Sequence, residues 1–113
     1  GTGKPRREFL YVDDMARACV HVMNVDKKKY EQHISPRCSH INVGSGKDLT
    51  IKELSEIIKD VVGYKGEINF DPSKPDGVNR KILDSTMIMN LGFQHEISLR
   101  EGLVKTYKEY IEL

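Results

Sequence analysis

The residues best suited to chemistry lie in the stretch Phe70-Asp71-Pro72-Ser73-Lys74-Pro75-Asp76-Gly77-Val78-Asn79-Arg80-Lys81. Pro72, Pro75 and Gly77 constrain the backbone there, while Lys74, Asp76, Arg80 and Lys81 supply charge. Arginine's planar fork and lysine's point charge both suit phosphate oxygens, so the chemistry predicted is the binding of an anion. Arg6 and Arg7, ahead of a predicted strand, could join this set; if the fold brings the loops together they would clamp a diphosphate. The competing reading is that each cation pairs with a nearby carboxylate such as Glu8, Asp71 or Asp76, and residue chemistry alone weighs the two equally. With 18 Lys and Arg against 17 Asp and Glu, the formal net charge is +1. Any positive site must therefore be local, and bulk attraction to nucleic acid or a membrane surface is not expected.

Other chemistry is thinly represented. Gly44-Ser45-Gly46 follows a predicted strand and precedes a helix, but Leu49 stands where the dinucleotide fingerprint needs its third glycine. Gly46-Lys47 likewise fails as a P-loop ending, because Asp48 follows the lysine and Ile41 occupies the earlier glycine position. A phosphate at the exposed amides of this helix start remains an open expectation, with Asp48 opposing it. His21, His33, His40 and His95 are scattered through different elements, and neither Cys19 nor Cys38 forms a C-x-x-C pair, so no catalytic residue, disulfide framework or metal site is assigned. Cys19 is expected to be a buried structural thiol and His21 a packing residue at the edge of a buried helix face. Asp13 and Asp14 are read as helix caps rather than an acid/base pair. Lys27-Lys28-Lys29 is read as a solvated loop, not a nucleic-acid contact.

These residues need a scaffold, and 113 residues allow one modest domain, short for a complete nucleotide-dependent enzyme. The abrupt opening Gly1-Thr2-Gly3-Lys4-Pro5 reads as a cut inside a longer chain. A short strand is predicted over Glu8–Val12, then a helix over Asp13–Asn24 with an apolar stripe at Ala16, Cys19, Val20 and Met23, widened by Ala18 and Val22. Residues 26–39 show neither period and are expected to form a surface excursion. His40–Gly44 reads as a second strand. Thr50-x-x-Glu53 is a capping box ahead of a helix from Ile51 to about Val62, which Gly63 should terminate. Glu67–Phe70 alternates like a strand, Asp84 or Ser85 can cap a short helix through Asn90 ending at Gly92, and Ser98-x-x-Glu101 opens a final helix striped by Leu99, Leu103, Tyr107, Tyr110 and Ile111. The expected architecture is a small α/β domain of short strands and about four helices. No apolar run approaches the roughly 20 residues that span a bilayer, and the first residues lack a signal-peptide core, so a cytoplasmic setting is expected.

Arg7-Glu8-Phe9-Leu10-Tyr11-Val12-Asp13-Asp14-Met15-Ala16 resembles the R-[DE]-[FY]-x-x-V-x-D-x-A segment of extended short-chain dehydrogenase/reductases, in their sugar-nucleotide epimerase and reductase branch. Ser39–Gly46, Val61–Gly66, Phe70–Gly77, Arg80–Asp84 and His95–Leu99 extend the resemblance along the chain. The resemblance implies the C-terminal substrate-binding domain of a GDP-sugar 3,5-epimerase/4-reductase. Its NADP would be bound mainly by an upstream Rossmann domain absent from these residues, and none would be expected on this portion alone. It implies that Arg7 holds the diphosphate region of the GDP-sugar, that Lys81 contacts the substrate, and that Lys74, Asp76 and Arg80 contribute less. Asp14 takes a structural role, no catalytic position falls within the 113 residues, the portion alone is inactive, and the intact enzyme is a homodimer. Two alternatives stay open: the substrate domain of another NAD(P)-dependent sugar-nucleotide epimerase, dehydratase or reductase, and a non-catalytic nucleotide- or protein-binding module.

Overall fold

The structure, a computed structural model, describes residues 1–113. Its elements are β1 (Arg6–Glu8), α1 (Val12–Asn24), α2 (Lys27–Glu31), β2 (Asp48–Thr50), α3 (Ile51–Val62), β3 (Arg80–Lys81), α4 (Thr86–Asn90) and α5 (Leu99–Glu112). The α/β class and the alternation of strands with helices are as the sequence predicts, but the strands occupy other residues. β1 is central in a sheet of order β2-β1-β3, antiparallel to β2 and parallel to β3.

Helix ends follow local chemistry. Thr50 accepts a hydrogen bond from the Glu53 amide at 3.0 Å while Glu53 accepts from the Thr50 amide at 2.7 Å, so the capping box satisfies donors at the start of α3. Gly63 ends that helix at φ 70°, a conformation that favours glycine. Ser98 and Glu101 repeat the box at α5, and Gly92, at φ 96°, follows the short α4 as expected.

Several expectations are corrected. The first strand covers Arg6–Glu8 rather than Glu8–Val12. Neither Asp13 nor Asp14 caps α1, whose N-cap is Tyr11 with no side-chain bond. Asp26 caps α2 by accepting from the Lys28 and Lys29 amides, so the lysine triplet starts a five-residue helix within the predicted excursion. His40–Gly44 is not a strand: no neighbouring strand is there to pair with it, and Ile41 and Val43 instead pack against the core of Ala18, Ile88 and Phe93. Glu67–Phe70 is also unpaired, although its alternation is real as burial, since Ile68 and Phe70 are half-buried and their neighbours exposed.

The largest departure is on α1. Ala18 is buried and Val22 packs on the core, but the predicted stripe faces outward: Cys19 is exposed, and Val20 and Met23 are 59% and 83% exposed. Only nine of 113 residues are buried. The radius of gyration is 17.3 Å, against about 13 Å for a compact domain near this size. α3, despite its apolar face, has no fully buried residue, and α5 loses its stripe at Tyr110 and Ile111, both exposed.

Asp14 holds the two halves of the small core together. It is fully buried and accepts from the Glu96 amide at 3.1 Å, the Ile97 amide at 2.9 Å and Arg17 at 2.7 Å. Burial raises its pKa, but the two amides and Arg17 outweigh that effect and hold it below the usual carboxylate range. Asp14→Ala, which orphans both amides, is expected to cost about 2–4 kcal/mol in denaturant unfolding. Thr50→Ala should cost about 1 kcal/mol, so equal costs for the two variants would contradict the role assigned to Asp14. Because the folded pKa is depressed, the Asp14 contribution is full above the unfolded carboxylate value of about 3.9 and is lost as pH falls through its lower folded value. Thermal melts from pH 6 to pH 2 should show that loss in the parent and a shallower dependence in Asp14→Asn.

Candidate functional site

Strand alternation sorts the charges around β1. Arg6 and Glu8 project to one face and Arg7 to the other. Arg6 aligns with Thr50 on β2 and Arg80 on β3, while Arg7 aligns with Leu49 and Lys81. Arg6 and Arg80 therefore share a face, and Arg7 and Lys81 share the opposite one. Each pair lies on adjacent strands about 4.8 Å apart.

The first face is electrically closed. Asp48, its side chain 6% exposed, accepts from the Arg6 guanidinium at 3.0 Å and from Arg80 on the other side. Arg80's hydrogen bond holds the Asp48 carboxyl below its ordinary range against the opposing effect of burial, and Asp48 in turn raises the Arg80 pKa. The sequence-level alternative of ion pairing thus applies to Arg6 and Arg80. Their partner is Asp48, and none of Glu8, Asp71 or Asp76 pairs with them.

Glu8 serves backbone donors instead. One carboxylate oxygen accepts from the Gly46 amide at 2.6 Å and the Ser45 hydroxyl at 3.4 Å, and the other from the Leu83 amide at 2.9 Å. A phosphate at the Gly44–Gly46 turn, which the sequence disfavours through Asp48, also meets an occupied donor: the Gly46 amide is bonded to the protein's own carboxylate. α3 is not a substitute, because its start is closed by the Thr50–Glu53 box.

The second face keeps its cations. Arg7 donates through one guanidinium nitrogen to the carbonyls of Arg6 and Val78, both at 2.7 Å, which aims it along the loop before β3 while retaining its positive charge. Lys81 is exposed and forms neither an ion pair nor a hydrogen bond. Leu49, beside Arg7 in register, also lines an apolar cavity of 650 Å³ with Tyr11, Leu54, Ile58, Leu99 and Leu103.

The remaining loop residues separate from this pair. Asp71 closes a local turn by accepting from the Ser73 amide at 2.9 Å and from its hydroxyl. Asp76 accepts from the hydroxyl and amide of Thr2, which tie the loop to the start of the chain and lower its pKa. Lys74 is exposed in the loop and is not joined to Arg7 or Lys81 by any contact. Cys38 and His40, which spacing did not associate, lie with Sγ and Nδ1 3.8 Å apart on the surface. No cluster of three or more His, Cys, Asp or Glu side chains is placed to hold a metal. Asp48 and the acceptor role of Glu8 were missed in the sequence; the only early signal was that both lie beside the arginines once the strands pair.

Residues 1–44 match the NAD dependent epimerase/dehydratase family. Over 112 residues the chain is 54% identical to GDP-L-fucose synthase of Escherichia coli K12, a match covering 99% of this chain and 35% of that protein. A GDP-6-OMe-4-keto-L-xylo-heptose reductase from C. jejuni superposes with a TM-score of 0.88 at 36% identity, over 99% of this chain and 32% of that one. The GDP-mannoheptose C4 reductase of Campylobacter jejuni with NADP bound gives 0.83 at 39%, over 98% and 33%. The chain spans about a third of the length of the curated relatives it matches. Over 112 of its 113 residues the chain is thus similar to a portion of GDP-L-fucose synthase.

Proposed function

We propose that residues 1–113 are the C-terminal GDP-sugar-binding domain of a GDP-L-fucose synthase, with its NADP-binding Rossmann domain upstream. The intact enzyme then converts GDP-4-keto-6-deoxy-D-mannose to GDP-L-fucose by 3,5-epimerisation and NADPH-dependent 4-keto reduction. The observation that carries this reading is the alignment of Arg7 with Lys81 on the sheet face that Asp48 does not neutralise. Two cations aligned on neighbouring strands can each donate to a phosphate oxygen, and each charge-assisted contact contributes about 1.5–3 kcal/mol. Binding the diphosphate away from the reacting sugar orients that sugar without contacting its C4 carbon.

The other site residues take lesser parts. Lys74 is free to reach a substrate from the loop, Asp76 shapes the loop through Thr2, and Arg80 holds β3 through Asp48. The residues present do not fit NADP: the glycine fingerprint is incomplete at Leu49, the Gly46 amide is bonded to Glu8, and α3 and α5 begin in closed capping boxes. No step of hydride transfer is therefore assigned to this chain, and the portion alone is inactive. We read the exposed α1 face of Val12, Val20 and Met23 as the surface that packs on the rest of the longer polypeptide, which supports a substrate domain over a free-standing module. No helix is long and apolar enough to cross a membrane. The intact enzyme is read as a cytoplasmic homodimer.

In the intact enzyme, Arg7→Ala and Lys81→Ala should each raise the Michaelis constant for the GDP-sugar by roughly 10- to 100-fold and leave NADPH affinity within twofold. Unchanged constants in both variants would reject the site. Lys27→Ala, on α2, should do little. A panel of GDP-, UDP- and dTDP-sugars tests the base, and preference for UDP-sugars would sink the assignment.

A further inference from the structure

Two residues make a short strand, and beyond the Arg80–Asp48 pair β3 is anchored at both of its ends. Upstream, the Asn79 carbonyl accepts from the Arg6 amide at 2.7 Å. Downstream, the Leu83 amide donates to Glu8 at 2.9 Å, two residues past Lys81. The other oxygen of the same carboxylate takes the Gly46 amide at 2.6 Å, fixing the turn that leads into β2. One side chain on the central strand thus pins the segments that flank it on both sides. Gly44 is shaped to this arrangement, because a Cβ there would lie 2.5 Å from Oε1 of Glu8 and 2.7 Å from its carboxyl carbon.

We propose that Glu8 is a positioning residue for anion binding, setting Lys81 beside Arg7 and occupying the Gly46 amide of the neighbouring turn. This rests on the reading of Arg7 and Lys81 as the diphosphate site. The Glu8 side chain projects to the sheet face opposite Arg7 and acts through backbone amides. A carboxylate is required because both donors are N–H groups: glutamine would offer one carbonyl oxygen and turn its NH2 toward the other donor. Aspartate, shorter by one methylene, cannot reach both.

The test uses the intact enzyme with Glu8→Gln, Gly44→Ala and Arg7→Ala, measuring GDP binding by calorimetry and steady-state kinetics with the GDP-sugar. Gly44→Ala displaces the Glu8 carboxylate without altering its charge, so it keeps the question answerable if Glu8→Gln does not fold. The expected result is about a tenfold weaker GDP affinity and a matching rise in KM in either variant, with kcat and NADPH affinity within twofold. Amide exchange at Leu83 should accelerate in parallel. GDP affinity and KM within twofold of the parent in the folded variants, with Arg7→Ala impaired, would overturn the role of Glu8 alone. Unchanged GDP affinity in Arg7→Ala would overturn the site reading beneath it.

Discussion

The sheet depends on one carboxylate. Asp48 stands on β2 and reaches across β1 to Arg80 on β3, taking Arg6 on the way, so a single side chain spans all three strands. Strands of three, three and two residues form too few ladder bonds to fix register by themselves. The charge arrangement supplies the rest of the specification. It also has an asymmetric consequence: consuming Arg6 and Arg80 on one face leaves Arg7 and Lys81 as the cations of the other. Local structure and binding chemistry are therefore two results of one alternation.

The acidic residues follow a common pattern. Asp14, Glu8, Glu53 and Glu101 all accept from backbone amides, and Asp48 is taken up by arginines. Asp14, which accepts two backbone amides and the Arg17 guanidinium, is held below the usual carboxylate range, which fits a scaffold better than proton transfer. Asp60 and Arg100 add a tie between α3 and α5 at the surface. Near balance of positive and negative side chains thus conceals an uneven distribution around the sheet, with Asp48 and Glu8 on one face and Arg7 and Lys81 aligned on the other.

What could be read from the sequence was whatever a few adjacent residues decide. The capping boxes at Thr50 and Ser98, the glycine end at Gly63 and the short α4 are local events, and they stand where predicted. Strands were illegible for the complementary reason. β2 and β3 exist only because β1 lies between them, and Asp48-Leu49-Thr50 carries no strand pattern of its own. His40–Gly44 and Glu67–Phe70 have that pattern but lack partners. Residue type alone set Arg6, Arg7, Lys74, Arg80 and Lys81 together, and the resemblance singled out Arg7 and Lys81; the alignment of those two, and the opposite orientation of Arg80, required the parallel pairing. Asp14 shows the same limit, since its partners at Glu96 and Ile97 are remote in sequence and local rules favoured a cap.

Tertiary context also decides what the apolar stripe of α1 means. An amphipathic helix predicts a buried face, and α1 buries Ala18 but leaves Val12, Val20 and Met23 in water. The extended shape and the nine buried residues leave much of the apolar surface in water. The face carrying Arg7 and Lys81 and the exposed apolar face of α1 are different surfaces of the chain, the first built from β1 and β3 and the second from α1. The Asp14 contacts join α1 to the segment before α5, whose Gly102 packs against Tyr11. α1, which begins four residues after β1 ends, is thereby tied to the scaffold close to the central strand.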